Sequence, residues 1–192
     1  MSFGYRLLGF GAFPSRGAAP FNTGLIGNSL LLNGSDESLD KTFGSAPGSQ
    51  SGKRYIWATW VQPFVDTGGT VYTMWSAGTS GSNAYSELSF YNQQSTRGDV
   101  EFNSYNGGSS YDYRLRPTQR FRDNGWQHFL ISYDSTQALA SNRIQMYYNG
   151  EQIASFAQAD YPSLNHVDFP GTAVDPRIGC RPGGSGGGFY KN

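Results

Sequence analysis

Hydrophobic and polar positions alternate with a period of two along most of this chain. Leu88 and Phe90 share one face of a segment, and Val100 and Phe102 share one face of another. Tyr111, Tyr113 and Leu115 fall on one side, with Asp112, Arg114 and Arg116 on the other. In Phe129-Leu130-Ile131-Ser132-Tyr133 the odd positions are apolar, and Ile144, Met146 and Tyr148 repeat the period up to an Asn149-Gly150 turn. Such alternation sends successive side chains to opposite faces of a pleated strand, whereas no long helical stripe is present. Two segments read differently. Ser29-Leu30-Leu31-Leu32-Asn33-Gly34 is a short apolar run that ends in a turn signal. Tyr55-Ile56-Trp57-Ala58-Thr59-Trp60-Val61 is apolar on both faces, which predicts a strand buried in the middle of a sandwich. Val71–Trp75 follows a Gly-Gly turn. Strands at this spacing, broken by Gly, Asn, Ser and Pro, predict an all-β fold: a two-sheet antiparallel β-sandwich of jelly-roll type.

Residues 1–22 lack this pattern and are rich in phenylalanine and glycine. They read as an extended N-terminal arm, with the sandwich occupying residues 23–192. Aromatic surface on a free tail is a liability. The arm is therefore expected either to anchor on a partner through Phe3, Tyr5, Phe10 and Phe13 or to fold back on its own domain. Near the other end, Gly183–Gly188 reads as a flexible segment.

Composition sharpens the picture. At 192 residues the chain suits one domain with a real core. Charged residues make up 15% and aromatics 16%, with 26 glycines, which favours pleated surfaces and turns over helix faces. Fourteen basic and 14 acidic residues cancel, so no overall field draws the chain to nucleic acid or an anionic membrane. Cys180 is the single cysteine, so no internal disulfide is expected. The first ten residues make a poor signal peptide, and no apolar run is long enough to span a bilayer as a helix. These readings predict synthesis in the cytosol without export by the usual route.

Five motifs in order now resemble a known family. Ser29–Asp36 is similar to the opening strand of laminin-G-like domains, and Tyr55–Pro63, with Trp60-Val61-Gln62-Pro63, to their second core strand. Trp126-Gln127-His128-Phe129 with Ser132-Tyr133-Asp134 resembles the Trp-x-His strand and its Tyr-Asp end. Ile144–Glu151 resembles the following hairpin, and Arg177-Ile178-Gly179 the Ile-Gly strand. The resemblance implies a laminin-G-like, concanavalin-A-like lectin sandwich. The family closes with one further strand, yet this sequence stops at Asn192 where that strand would begin. The expectation is a longer chain, a strand supplied by a partner, or a domain that does without it; an uncovered neighbour would expose a sheet edge.

Catalytic readings find little footing. Asp99-Val100-Glu101-Phe102 is similar to half of a laminarinase-type carboxylate motif, but Arg97 stands where the leading glutamate belongs. The favoured reading puts Asp99 and Glu101 on the solvent face of a strand whose Val100 and Phe102 point inward. Cys180, His128 and His166 carry no nucleophile signature, and no zinc or phosphate motif is present. Asp36, Asp66 and Asp134 lie near strand ends, as calcium ligands do in relatives of this fold, but in no ligand series, so no metal and no cofactor is expected. Arg97-Gly98-Asp99 spells the integrin tripeptide and reads as a turn. Arg114, Arg116, Arg120 and Arg122 form the densest basic cluster: either a strip for polyanions and carboxylates, or, as the favoured reading, a solvated strand face. Thirteen tyrosines suit a carbohydrate- or protein-facing surface, although several must be core.

Together these readings predict a binding or structural module and not an enzyme. The setting that reconciles them is a virion structural protein of a tailed bacteriophage, a capsid decoration, tail fibre or other appendage. Such a protein is made in the host cytoplasm and acts outside the cell. Its expected partners are other virion proteins, further copies of itself and a cell-surface glycan, with no nucleic acid and no membrane. The alternatives are an extracellular, soluble carbohydrate-binding lectin and a glycoside hydrolase-like sandwich.

Overall fold

The computed structural model describes residues 39–40, 52–62, 71–78, 84–91, 98–108, 110–121, 125–171 and 174–181. The arm with Phe3, Tyr5, Phe10 and Phe13, the Ser29–Gly34 run, Asp36, Asp66, Arg122 and the Gly183–Gly188 segment lie outside the described residues.

The alternating segments form strands. In chain order they are β1 (Leu39–Asp40), β2 (Arg54–Val61), β3 (Val71–Gly78), β4 (Ala84–Tyr91), β5 (Asp99–Asn106) and β6 (Tyr111–Pro117), followed by β7 (Gln127–Asp134), β8 (Ile144–Tyr148), β9 (Glu151–Gln152), β10 (Phe156–Asp160) and β11 (Asp175–Ile178). Every pairing is antiparallel. Among the described residues, one sheet has seven strands in the order β1-β11-β3-β4-β5-β6-β10 and the other four in the order β2-β7-β8-β9. The fold is the all-β, two-sheet sandwich that the pattern predicts.

The core lies between the sheets. Leu88, Phe90, Val100, Phe102, Tyr113 and Leu115 of the larger sheet bury against Phe129, Ile131, Tyr133, Ile144 and Met146 of the smaller. Each such burial is worth about 1.5–3 kcal/mol, so these period-two positions set the register of both sheets. The β8–β9 hairpin turns through Asn149 (φ 49°) and Gly150 (φ 88°), the left-handed pair that an Asn-Gly turn requires. Asn149 Oδ1 also accepts the His128 backbone N–H at 2.8 Å, tying the turn to β7.

Two expectations are corrected. β2 is not a mid-sandwich strand: it stands outermost among the described strands of its sheet. Its Tyr55 and Trp57 pack on the core, while Ile56 on the opposite face is 72% exposed. Apolar residues on both faces thus mark one packed face and one face that keeps an apolar surface outside the core. Tyr111 also changes sides. A register shift pairs Tyr105 with Tyr111 directly after Ser104 with Tyr113, so Asp112 is the extra residue of a bulge. The bulge moves Tyr111 to the face of Arg114, away from Tyr113 and Leu115.

A buried carboxylate pins one end of the core. Asp168 accepts hydrogen bonds from the hydroxyls of Tyr55, Ser86 and Tyr113, the last at 2.7 Å, and from the Phe169 backbone N–H at 2.9 Å. Its own N–H donates to Gly52 O at 2.9 Å. Strands β2, β4 and β6 are thereby joined to one loop residue. Burial, reinforced by the Asp168 charge, holds the Tyr55 and Tyr113 hydroxyls protonated well above the ordinary tyrosine range.

Candidate functional site

The outer face of the seven-stranded sheet, away from the core, carries an ordered set of polar and aromatic side chains. Register builds it row by row. Gly78, Tyr85, Tyr105 and Tyr111 stand side by side across β3, β4, β5 and β6. The next row is Ser76, Glu87, Asn103 and Arg114. Then come Thr73, Ser89 and Glu101, and finally Val71, Tyr91 and Asp99. The face therefore runs from a row of three tyrosines through two polar rows to a fourth, Tyr91. Gly78 is required beside the first row, because a Cβ there would come within 2.5 Å of Ala84 O.

Ring and charge contacts knit this surface. Tyr85 and Tyr105 have centroids 5.9 Å apart, and Tyr105 and Tyr111 5.3 Å. The Arg181 guanidinium lies 5.1 Å from the Tyr85 ring, and that of Arg114 4.8 Å from the Tyr111 ring, each within cation–π range. Arg181 also donates to both Glu87 oxygens at 2.6 Å, a bidentate pair. Arg114 Nε donates to Glu101 Oε1 at 2.9 Å. Between the two carboxylates, Asn103 Nδ2 donates to Glu101 Oε1 at 3.1 Å and to Glu87 Oε1 at 3.4 Å. Glu87, Glu101 and Asn103 are buried, the surrounding Tyr85, Tyr91, Tyr105, Arg114 and Arg181 are half-buried, and Tyr111 is 41% exposed.

Electrostatics follows from these contacts. The hydrogen bond to Glu101 raises the Arg114 pKa. Burial works to lower that of Arg181, but the bonds and charge of Glu87 outweigh it and the net shift is upward. Burial raises the Tyr91 hydroxyl well above its ordinary value, helped by the charge of Glu101, and raises Tyr85 to about 12.

The residues singled out from the sequence are now placed. Val100 and Phe102 do point inward and Glu101 outward, but Glu101 is fully buried and not solvated, which corrects the expected solvent face. The reason is the height of its neighbours: long Tyr and Arg side chains stand around a shorter carboxylate. Asp99, 8% exposed, pairs with Arg120 at 3.1 Å, so the Arg97-Gly98-Asp99 tripeptide does not present a free aspartate. Of the four arginines, Arg114 is committed to Glu101 and Arg120 to Asp99, while Arg116 is half-buried on β6 beside β10. These three described arginines do not form one continuous strip of free cations, and Arg122 lies outside the described residues. The His128 ring packs against that of Trp60 on the outer face of the smaller sheet, with centroids 4.8 Å apart and planes tilted by 37°. His166 Nδ1 shares a hydrogen bond with the Tyr133 hydroxyl at 2.8 Å. Cys180 is buried, and its carbonyl accepts from Ser76 Oγ at 2.6 Å. Asp134 accepts from the Thr136 N–H and hydroxyl, Gln137 and Arg54. Among the described residues, no cluster of three or more His, Cys, Asp or Glu is placed to hold a metal ion.

The family model for the concanavalin A-like lectin/glucanases superfamily, of laminin-G type, matches residues 41–189. The chain belongs to this superfamily. A concanavalin A-like sandwich is accordingly what the sheets build, and the face just described is that of its larger sheet. The fold is similar to that of a native heptameric SAP-like pentraxin from Limulus polyphemus, at 12% identity and TM-score 0.51, over 82% of this chain and 69% of the pentraxin. It is also similar to domains LG4-5 of the mouse laminin alpha1 chain, at 12% identity and TM-score 0.50, over 82% of this chain and 36% of that fragment. A CBM40 domain of a Ruminococcus gnavus IT-sialidase matches at 15% identity and TM-score 0.48, over 79% and 88% of the two chains. Comparison with curated protein sequences finds no match.

Glu87 and Arg181 are what sequence reasoning missed. Glu87 supplies a second carboxylate beside Glu101, from the neighbouring strand. The outward set of β4, Tyr85-Glu87-Ser89-Tyr91, carries that signal as a carboxylate flanked by tyrosines. In β5 the set Asp99-Glu101-Asn103-Tyr105 places two carboxylates and an amide before a single tyrosine.

Proposed function

We propose that this chain is a non-enzymatic adhesion module that holds carbohydrate on the outer face of its larger sheet. The observation that carries this reading is the juxtaposition of a half-exposed tyrosine row with buried carboxylate and amide groups. Aromatic rings stack on the apolar faces of sugar rings, and buried polar groups select hydroxyl positions, so the two kinds of row suit one ligand class. Hydrolysis would require two carboxylates free to exchange protons across an open space. Glu87 and Glu101 are instead buried and each is tied to its own guanidinium, which suits holding a ligand and not cleaving it.

The setting we propose is a virion appendage, as a capsid decoration or tail fibre, with other virion proteins and further copies of the chain as partners. In support, the one cysteine is buried and unpaired, so this sandwich stands without a disulfide, as suits folding in a reducing cytoplasm before display outside the cell.

A glycan array probed with the purified chain tests the adhesion reading, with reducing-end release measured on each bound glycan. Selective retention without release is expected; release of product would turn the reading to a hydrolase. Cryo-electron microscopy of the source particle tests the setting. Symmetric copies on a capsid or tail are expected, and glycan binding by a free protein with no particle would indicate a soluble lectin.

A further inference from the structure

Two buried oxygens on the outer face of the larger sheet accept no hydrogen bond from the described residues: Glu101 Oε2 and Asn103 Oδ1. They sit two residues apart on one face of β5, next to Tyr105. Buried acceptors left unmet are costly and rare in folded proteins, so a pair of them at one spot calls for an explanation. The orientation of the Asn103 amide is set by its surroundings. Turned the other way, its oxygen would face Glu87 Oε1 and Glu101 Oε1, two negatively charged acceptors, in place of the nitrogen that now donates to both. The amide oxygen is thus held away from the carboxylates and left without a donor. Glu101 Oε1 is already saturated by Arg114, Asn103 and Tyr91, which leaves Oε2 as the one oxygen available.

We propose that this pair of acceptors is the recognition element for a neutral saccharide, two of whose hydroxyls donate to Glu101 Oε2 and Asn103 Oδ1 while its ring lies against the tyrosine row. This rests on the adhesion reading and adds the class of sugar. The groups that meet these oxygens must be donors. A ligand carboxylate, sulfate or phosphate offers acceptors only and would face the Glu101 charge at close range. The guanidinium groups that could draw an acidic sugar, Arg114 and Arg181, are already committed to Glu101 and Glu87. Two hydroxyls supply both donors without breaking either ion pair, because the flexible Arg114 stem, half-buried at the rim, can shift to admit them while its guanidinium stays on Glu101 Oε1. Tyr111, the most exposed ring of the row, is the stacking contact.

The test uses the full chain on an array carrying neutral, sialylated, sulfated and uronate glycans, followed by calorimetry with the strongest neutral glycan. Tyr111→Ala removes the exposed ring, and Asn103→Leu removes the amide acceptor while keeping its volume. Ile56→Ser on the opposite sheet is the control. Neutral glycans are expected to dominate, with binding weakened about tenfold or more by Tyr111→Ala and by Asn103→Leu and unchanged by Ile56→Ser. Thermal melts identify any variant that fails to fold, and Tyr111→Ala, at an exposed position, then decides alone. Preference for acidic glycans would overturn the neutral-sugar inference and leave the adhesion reading standing. Neutral binding that is indifferent to these residues would remove the site but keep adhesion. No glycan binding at all would overturn both.

Discussion

Two sets of buried carboxylates in this sandwich are held in opposite ways. Asp168, in the core, has both oxygens satisfied by neutral donors: Ser86 and the Phe169 N–H on Oδ1, Tyr55 and Tyr113 on Oδ2. Glu87 and Glu101, on the outer face, are held by guanidinium groups, and Glu101 keeps one oxygen without a donor. A group whose every lone pair is met by its own fold can do nothing further, so Asp168 is a structural clasp. A group with an unmet acceptor beside an unmet amide oxygen retains something to offer. The same residue type thus fastens the fold in one place and faces outward chemistry in another, and the difference lies in whether its hydrogen-bonding capacity is used up.

Removing the inner carboxylate should break that comparison most forcefully. Asp168→Ala leaves three hydroxyls facing a void in the core and is expected to cost roughly 3–5 kcal/mol, read as a shift in the denaturant midpoint at unchanged slope. Asp168→Asn keeps the volume and should cost less. If Asp168→Ala melted like the parent chain, the clasp would be no clasp.

A smaller effect is expected on the outer face. Arg181→Ala leaves the Glu87 charge buried without its partner, and because the Arg181 side chain is 27% exposed, solvent can reach part of the site. The expected cost is about 2 kcal/mol. Combining Glu87→Gln with Arg181→Met removes both charges and should restore stability to within about 1 kcal/mol of the parent. A double-mutant cycle across the pair measures the coupling. An additive result would show that the pair adds nothing to the face.

How far the sequence anticipates this contrast depends on distance along the chain. The strands, the inward set of β4 to β7 and the Asn149-Gly150 turn are local features, and alternation or turn chemistry reveals them. The five ordered motifs from Ser29 to Gly179 carry the resemblance to the family. Asp168 is different, since His166-Val167-Asp168-Phe169-Pro170 has no periodicity, and its partners come from β2, β4 and β6. The pairing of Glu87 with Asn103 depends on strand register, and that of Glu87 with Arg181 on where the chain passes after β11. The bulge at Asp112, which turns Tyr111 outward, follows from no single residue type. β2 misled for a related reason: periodicity reports that both faces are apolar, not whether both are covered.

The smallest expected effect separates one further carboxylate from both sets. Asp134 ends β7 and accepts from the Thr136 N–H at 3.0 Å, the Thr136 hydroxyl at 2.6 Å, Gln137 at 2.7 Å and Arg54 at 3.1 Å. Burial alone would raise its pKa, but these donors outweigh it and hold the carboxyl well below the usual carboxylate range. The sign follows directly. The folded form binds its proton less readily than the unfolded chain, whose aspartate titrates near about 3.9, so the contribution is present above that pH and lost as pH falls below it. Arg54 is 61% exposed in its side chain, so the pair is screened, and Asp134→Asn should cost only about 0.5–1 kcal/mol at neutral pH. Chemical denaturation of parent and variant at neutral pH and again near pH 2 reads this out. The gap between the two should narrow in acid, because the parent then loses by protonation what the variant has lost by substitution. A gap that stayed constant would mean that Asp134 shapes the turn through its size and not its charge. It would then resemble Asp168, a residue consumed by the fold, more than the acidic pair on the outer face.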